Sequence, residues 1–153
     1  MRTTRWRSNN KTKRIPGANF AVGPRGSKRK IMTKTILLVD DSATSRMQSR
    51  MIFANMNQYE FLSACDGKEG VEMALEKKPD LILMDVEMPR MSGIEACRTL
   101  RENAATRRTP IILLTMRSEE SAVKKGFDSG CTDYMFKPVN AQKLIAVLKR
   151  HLG

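Results

Sequence analysis

The sequence LILMDVEMPRMSG, residues 81–93, determines the fold that we predict for this chain. It opens with four apolar residues, reaches Asp85, and continues through Pro89 to Gly93, where a segment of helical length begins. A continuous apolar run of this length is typical of a strand buried on both faces, as in a parallel sheet covered by helices. The stretch therefore indicates one strand–turn–helix unit of an α/β protein.

Similar units recur along the chain from residue 35 onward. We predict five strands, at residues 35–39, 59–64, 81–84, 110–114 and 132–136. Helix-length segments follow the first four strands, at residues 42–56, 67–78, 93–103 and 118–129. A fifth helix is indicated by a single apolar stripe of residues at helical spacing, formed by Ala141, Leu144, Ile145 and Leu148. Five βα units are too few to close an eight-stranded barrel, so we predict an open α/β sheet.

The ends of the predicted helices carry local signals as well. Ser42 and Ser118 stand where N-cap residues are expected, because a serine hydroxyl can accept a hydrogen bond from the first free backbone N–H groups of a helix. Gly130 follows the fourth helix, where a residue with positive φ commonly ends a helix.

Polar residues follow the predicted strands at their carboxyl ends. Ligands of open α/β sheets bind at this edge. The residues there are Asp40 and Asp41 after the first strand, Asp85 after the third, Thr115 after the fourth and Lys137 after the fifth. We therefore expect the chemistry of this protein at that edge.

Charge divides the chain into two segments. The 153 residues carry a net charge of +12, but residues 1–33 hold ten of the 28 Lys and Arg residues and none of the 16 acidic residues. Residues 34–153 are left with a net charge of +2. We predict a basic, disordered N-terminal extension at 1–33 and a globular domain at 34–153.

Three interpretations of the extension stay open: an arm for nucleic acid or an acidic membrane, an organellar presequence, and an upstream extension without function. We favour the last over nucleic-acid binding, because Met32 stands just before the first strand, where a compact domain would normally start.

The three cysteines form no Cys-x-x-Cys pair, which favours a reducing, cytoplasmic compartment. The longest apolar runs are far shorter than the roughly 20 residues of a membrane span, so no membrane insertion is expected.

Four motifs together resemble the receiver domain of response regulators in two-component signalling. They are VDDS at 39–42, LMDVEMPRMSG at 83–93, LT at 114–115 and DYMFKP at 133–138. The resemblance covers about residues 34–153 and implies a flavodoxin-like (βα)5 doubly wound parallel sheet with strand order 2-1-3-4-5. Since the last helix ends at Gly153, we expect a single-domain response regulator that signals through a partner protein. Chemotaxis, a phosphorelay and control of a kinase all remain open as its pathway.

The resemblance implies that Asp85 accepts a phosphoryl group as a carboxylate nucleophile and becomes an aspartyl phosphate. Lys137 and Thr115 are expected to stabilise the charge on the transferred group. The implied donor is the phosphohistidine of a sensor histidine kinase or phosphotransfer protein, with acetyl phosphate as a small substitute. The chain is thus expected to be no enzyme beyond phosphorylating and dephosphorylating itself.

Three carboxylates at one sheet edge repel each other, which predicts a hard divalent cation, and Mg²⁺ fits oxygen ligands with retained water. By resemblance, Asp41 and Asp85 coordinate it directly and Asp40 acts mainly through water. The backbone carbonyl of Glu87 is expected to supply another ligand.

The resemblance also implies a conformational switch. Thr115 moves toward the phosphoryl group and Tyr134 follows it inward, so that the face of the fourth helix, fifth strand and fifth helix binds the downstream protein. The Lys137-Pro138 bond is expected to be cis.

Three residues are expected to tune the reaction. Met116 is bulkier than the residue usual at its position and is expected to narrow access to the acceptor. Glu87 and Arg117 occupy positions that influence hydrolysis of the acyl phosphate in this family, and together they are expected to shield Asp85 from water.

Two other functions are less consistent with the sequence. A Mg²⁺-dependent aspartyl phosphatase also uses an Asp nucleophile at a strand end, but its Asp-x-Asp motif follows the first strand, whereas Asp85 follows the third. A receiver that signals without phosphorylation ranks low, because every site position is filled. His151, the only histidine, is expected to be solvated at the last helix end and has no catalytic role here.

Overall fold

The computed structural model describes residues 33–153. The extension that we predict at 1–33 lies outside the described residues, apart from Thr33. Strands and helices alternate throughout this part of the chain. The strands are β1 Lys34–Val39, β2 Tyr59–Ala64, β3 Leu81–Asp85, β4 Ile111–Thr115 and β5 Asp133–Phe136. The helices are α1 Ala43–Phe53, α2 Gly67–Lys77, α3 Gly93–Arg101, α4 Glu120–Asp128 and α5 Ala141–Leu152.

The five strands form one parallel sheet in the order β2-β1-β3-β4-β5. The register pairs Val39 with Met84 and Asp85 with Leu114, so that the carboxyl ends of β1, β3 and β4 stand side by side. The predicted flavodoxin-like doubly wound sheet is confirmed. Its chain order reverses between β1 and β3, and this is the position at which open α/β sheets bind their ligands.

Alternate residues of the strands enter two separate apolar cores. Ile36 and Leu38 face α1 and α5, where they join a cluster with Phe53 and Leu144. The side chains between and beyond them point to the opposite face, where Leu37 and others join a cluster with residues of α2 and α3. Each fully buried Leu or Ile contributes roughly 1.5–3 kcal/mol relative to an exposed one, so both faces of the sheet stabilise the fold.

Helix α4 packs on the same face as α2 and α3, and it does so at a glycine. A Cβ atom on Gly126 would stand 2.5 Å from Tyr134 Cε2 and 3.1 Å from Leu113 Cδ1. The missing side chain therefore lets the Tyr134 ring of β5 lie directly against α4.

Several predicted helix ends differ from the structure. Ser42 is the N-cap of α1, as predicted, and its side chain accepts a hydrogen bond from Ser45 N. Ser118 is not an N-cap: α4 begins at Glu120, and Glu119 holds the N-cap position without a side-chain hydrogen bond. Gly130 has the predicted positive φ, +101°.

Helix α1 ends at Phe53, whereas the prediction continued it to residue 56. Met56 N donates to Phe53 O and Tyr59 N donates to Met56 O, so a tight turn takes the chain directly into β2. Met56 is buried beside Phe53 in the core of that face. Its burial in this turn, a tertiary contact, ends the helix earlier than the apolar pattern suggests.

Arg101, the last residue of α3, holds together the amino ends of β4 and β5. Its guanidinium donates to Gly130 O and Thr109 O, each at 2.7 Å, and to Thr132 Oγ1 at 3.1 Å. These partners lie eight to 31 residues away in the chain. One side chain thus satisfies several loop acceptors at the edge opposite the polar strand ends.

Within the described residues, none of the five helices combines the length and the apolar character needed to cross a bilayer.

Candidate functional site

Three carboxylates meet where β1 and β3 end. Asp40 and Asp85 are almost fully buried, with 1% and 4% of their surfaces exposed, whereas Asp41 is exposed. One carboxylate oxygen from each of the three lies within 4.8 Å of the others. The carboxylates at the ends of two different strands therefore form one acidic cluster.

The turn after β3 fixes the backbone of Asp85. Val86 N donates to Leu114 O at 2.9 Å, and Gly93 N donates back to Val86 O at 3.0 Å. A Cβ atom at Gly93 would collide with the backbone carbonyl oxygen of Asp85, so only glycine lets α3 begin this close to the strand. Ser92 caps α3 in a capping box with Glu95.

Lys137 brings a cation to the acidic cluster. Its Nζ lies 3.2 Å from Asp40 Oδ2 and 3.3 Å from Asp85 Oδ1. Lys137 N donates to Thr115 O at 2.8 Å, which ties the residue to the end of β4, and the peptide bond to Pro138 is cis as expected. The ammonium group thus bridges the carboxylates of two strands.

Asp40 has a structural role as well as a place in the cluster. Its Oδ1 accepts from Ser42 N at 2.9 Å, while its backbone carbonyl accepts from the Arg46 guanidinium at 2.6 Å. With Oδ2 bound to Lys137, the Asp40 carboxylate is occupied on both oxygens. Asp40 therefore holds the start of α1 and orients Lys137. No motif in the sequence marks Arg46 as the donor to its backbone carbonyl.

Burial and charge together shift the pKa values in the cluster. Burial raises the pKa of Asp85 to about 6, with Lys137 opposing the shift and Asp40 and Glu87 adding to it. Burial lowers the pKa of Lys137, but the charges of Asp85 and Asp40 outweigh it, so the net pKa lies above its usual value. At pH 7 a carboxyl of pKa about 6 is about nine-tenths ionised, so Asp85 is available as an anionic nucleophile.

The donor set of the cluster fits a hard cation. Within residues 33–153, Asp85 Oδ1 is the one buried side-chain oxygen or nitrogen without a hydrogen-bond partner. Lys137 lies within ion-pair distance of this oxygen without forming a hydrogen bond of good geometry to it. A buried carboxylate with an oxygen that has no hydrogen-bond partner, beside two further carboxylates, offers the all-oxygen ligands that Mg²⁺ prefers.

Thr115 is fully buried at the end of β4, and its hydroxyl is bonded on both sides. Thr115 Oγ1 donates to Glu87 Oε2 at 3.0 Å and accepts from Arg117 N at 3.0 Å. The side chain of Glu87 is thus part of the site, but through a hydrogen bond with Thr115 rather than through the predicted pairing with Arg117. Arg117 contributes its backbone N–H, and no ion pair joins it to Glu87 in the part of the chain that the structure describes.

Tyr134 is half-buried on β5 between two aromatic neighbours. Its ring centroid lies 6.1 Å from that of Phe127 and 5.7 Å from that of Phe136, and its hydroxyl donates to Ala122 O at 3.4 Å. The hydroxyl therefore reaches α4. Whether it moves on phosphorylation stays a prediction.

Met116 follows Thr115 with 76% of its surface exposed. It lines a cavity of about 270 Å³ together with Asp40 and Lys137, whereas Asp41 and Asp85 do not line this cavity. Its predicted effect on access stays untested.

His151 is not solvated, contrary to the expectation. Its side chain is 16% exposed, and Nε2 lies 3.0 Å from Asp133 Oδ2, which also accepts from Arg150 at 2.8 Å. Burial raises the pKa of Asp133, but hydrogen bonds from His151, Tyr134 N and Arg150 together lower it by more than burial raises it. The net pKa of Asp133 therefore lies below its usual value. The pair fastens the end of α5 to the start of β5, a contact across 18 residues that sequence periodicity cannot reveal.

The family model described as "Response regulator receiver domain" matches residues 36–149. The chain belongs to this family. It therefore carries a receiver domain of two-component signalling, and the resemblance drawn from the motifs is confirmed.

Two curated relatives differ in how much of their length is matched. The polar-differentiation response regulator DivK of Brucella ovis is 32% identical over 125 residues, which are 80% of this chain and 98% of DivK. The transcriptional regulatory protein ResD of Bacillus subtilis is 41% identical over 114 residues, 74% of this chain. The chain spans about half the length of ResD, 46% of which is matched.

Solved structures share the fold. The chemotaxis protein CheY4 of Vibrio cholerae has a TM-score of 0.74 at 31% identity, covering 78% of this chain and 99% of CheY4. The receiver domain of the sensor histidine kinase PA1611 from Pseudomonas aeruginosa has a TM-score of 0.74 at 30% identity, and the match covers 80% of this chain and 99% of the PA1611 domain. That structure is described as having a magnesium ion in its active-site cleft.

Proposed function

We propose that residues 34–153 act as a phosphorylation-dependent receiver, in which Asp85 accepts a phosphoryl group from the phosphohistidine of a sensor kinase or phosphotransfer protein. The observation that supports this best is the buried carboxylate of Asp85, which clusters with Asp40 and Asp41 and whose Oδ1 has no hydrogen-bond partner and lies 3.3 Å from Lys137 Nζ. An anionic oxygen held without a hydrogen-bond partner is suited to attack phosphorus.

The transfer forms one bond and breaks one. A carboxylate oxygen of Asp85 bonds to phosphorus while the phosphorus–nitrogen bond of the phosphohistidine breaks, and the bonding pair leaves with the imidazole. Charge spreads over the three equatorial oxygens of the phosphoryl group. The Lys137 ammonium, 3.3 Å from Asp85 Oδ1, is positioned to stabilise that charge.

Asp41, Asp85 and the Glu87 backbone carbonyl would hold a Mg²⁺ ion, with Asp40 acting mainly through water. The cluster fits this ion because all of its donors are oxygens and its three carboxylates converge within 4.8 Å. When bound, the ion neutralises carboxylate charge and polarises the phosphoryl oxygens. The solved PA1611 receiver domain, with magnesium in its cleft, is consistent with this assignment.

The downstream partner is proposed to bind the face formed by α4, β5 and α5. Phe127 on α4 and Phe136 at the end of β5 are 47% and 41% exposed, and both contact the Tyr134 ring. A movement of Tyr134 would therefore alter the apolar surface that this face presents. Thr115 is proposed to cause that movement when its hydroxyl turns toward the phosphoryl group.

Intact-mass measurement after incubation with acetyl phosphate and Mg²⁺ tests the proposal. We expect one added phosphoryl group per chain, which is lost in EDTA and in Asp85→Asn. Asp128→Asn is the matched control, because it removes an equivalent carboxylate from an exposed position of α4, and it should be modified like the wild type. Modification of Asp85→Asn, or repeated turnover of a generic phosphoester, would contradict the proposal.

A further inference from the structure

The Thr115 hydroxyl has a single proton, and that proton is already engaged. Thr115 Oγ1 donates it to Glu87 Oε2 at 3.0 Å, while the oxygen accepts from Arg117 N. Thr115 is 0% exposed, so water does not replace either bond. A buried hydrogen bond to a carboxylate is stronger than one between neutral groups.

The role proposed for Thr115 needs the same proton. To stabilise a phosphoryl group on Asp85, the hydroxyl must donate to a phosphoryl oxygen, and it cannot donate to Glu87 at the same time. We propose that Glu87 is a positioning residue, whose carboxylate binds the Thr115 hydroxyl in the unphosphorylated protein and competes for it with the phosphoryl group. This inference rests on the proposed function.

Charge gives the competition its direction. Glu87 lies two residues after Asp85, and its side chain binds Thr115 at the end of the neighbouring strand, so its negative charge is held at the same edge of the sheet as the Asp85 carboxylate. A phosphoryl group would bring further negative charge to Asp85. The Glu87 carboxylate would then be repelled while its hydrogen-bond donor was withdrawn.

The structure also offers Glu87 a second position. A cavity of about 320 Å³ lies between the turn after β3 and helix α4, and Glu87, Arg117, Lys125 and Tyr134 are among its lining residues. The cations of Arg117 and Lys125 are suitable partners for a carboxylate released from Thr115. Because Tyr134 lines the same cavity, the release of Glu87 changes the charge and the space beside the ring that reaches α4.

Affinity for beryllofluoride, a phosphoryl analogue, separates the hydrogen bond from the charge. Glu87→Gln removes the charge but keeps an oxygen that can accept from Thr115, whereas Glu87→Ala removes both. We expect Glu87→Gln to bind beryllofluoride with Mg²⁺ more tightly than wild type, and Glu87→Ala to bind a further three- to tenfold more tightly. In a Thr115→Val background, Glu87→Gln and Glu87→Ala should have equal affinity. Glu120→Ala, on the exposed start of α4, controls for total charge.

A second measurement needs no phosphoryl analogue. The methyl resonance of Thr115 in the Mg²⁺-free protein should move in Glu87→Ala and stay near its wild-type position in Glu87→Gln. An unmoved resonance in Glu87→Ala would show that the hydrogen bond is absent and would overturn the inference.

The outcomes distinguish the inference from the function on which it rests. Beryllofluoride binding with equal affinities for Glu87→Gln and Glu87→Ala would overturn the competition alone. A difference in affinity between Glu87→Gln and Glu87→Ala that persisted in the Thr115→Val background would also overturn the competition, because that background lacks the hydroxyl for which Glu87 is proposed to compete. Absence of binding in every folded variant and in wild type would overturn the proposed function and the competition with it.

Discussion

Replacing Asp85 by Asn should stabilise the metal-free protein, because the ionised carboxylate opposes folding. Burial raises the pKa of Asp85 from its usual 3.8 to about 6. A pKa difference of this size corresponds to about 3 kcal/mol between the ionised and neutral states. Asn is close in shape to the neutral carboxyl, so the free energy of unfolding of Asp85→Asn should exceed that of wild type by up to about 3 kcal/mol at pH 7.5.

The sign of the pH dependence follows from the direction of the shift. Because the folded pKa is raised, the destabilisation by Asp85 is fully present above pH 6 and declines as the pH falls from 6 toward 3.8. The advantage of Asp85→Asn should therefore shrink to about 1 kcal/mol at pH 4.5. Added Mg²⁺ should stabilise wild type more than the variant, since it binds the folded carboxylates.

Urea unfolding in EDTA at both pH values measures this difference, with Asp128→Asn as the matched control. The control removes an exposed carboxylate and should change the free energy of unfolding by less than about 0.5 kcal/mol at either pH. An Asp85→Asn variant no more stable than wild type at pH 7.5 would refute the reasoning that burial outweighs the attraction of Lys137.

Three further variants test other parts of the structure. Arg101→Met should lower the free energy of unfolding by about 2–4 kcal/mol in urea, because it leaves several loop carbonyls near β4 and β5 without a donor, yet Mg²⁺ affinity should not change. Gly93→Ala should lower both the stability of the protein and its Mg²⁺ affinity measured by calorimetry, because the Cβ of the new alanine would displace the backbone carbonyl of Asp85. An unchanged Mg²⁺ affinity would contradict this contact. Lys137→Ala should retain the Mg²⁺ site but slow phosphorylation by acetyl phosphate at least about tenfold, as measured by intact mass over time. A rate equal to that of wild type would show that Lys137 takes no part in the mechanism.

The sheet and the residues at its carboxyl edge could be predicted because their signals are local. A run such as residues 81–84 is long and apolar enough to specify a buried strand, and the polar residue that follows it must lie at the sheet edge. The positions of Asp40, Asp85 and Lys137 follow from that rule and from the parallel strand order. The distances between them, and the absence of a hydrogen-bond partner for Asp85 Oδ1, do not follow from it, because they depend on side-chain packing.

The contacts that the sequence did not reveal join residues far apart in the chain. Glu87 binds Thr115 across 28 residues, and His151 binds Asp133 across 18. Neither pair shares a helix turn or a strand position, so no periodicity marks it. The start of α4 differs from the prediction for another reason: Ser118 has the side chain of a good N-cap, but the helix begins at Glu120 without a side-chain cap.

Locating the modified residue tests the central claim most directly. Borohydride reduces an aspartyl phosphate to homoserine, so treatment of the protein after incubation with acetyl phosphate and Mg²⁺, followed by peptide mass spectrometry, identifies the acceptor. We predict homoserine at position 85 alone, and none when Mg²⁺ is removed. Homoserine at Asp40 or Asp41, or at no position in a folded protein that binds Mg²⁺, would contradict the account of Asp85 as the phosphoryl acceptor.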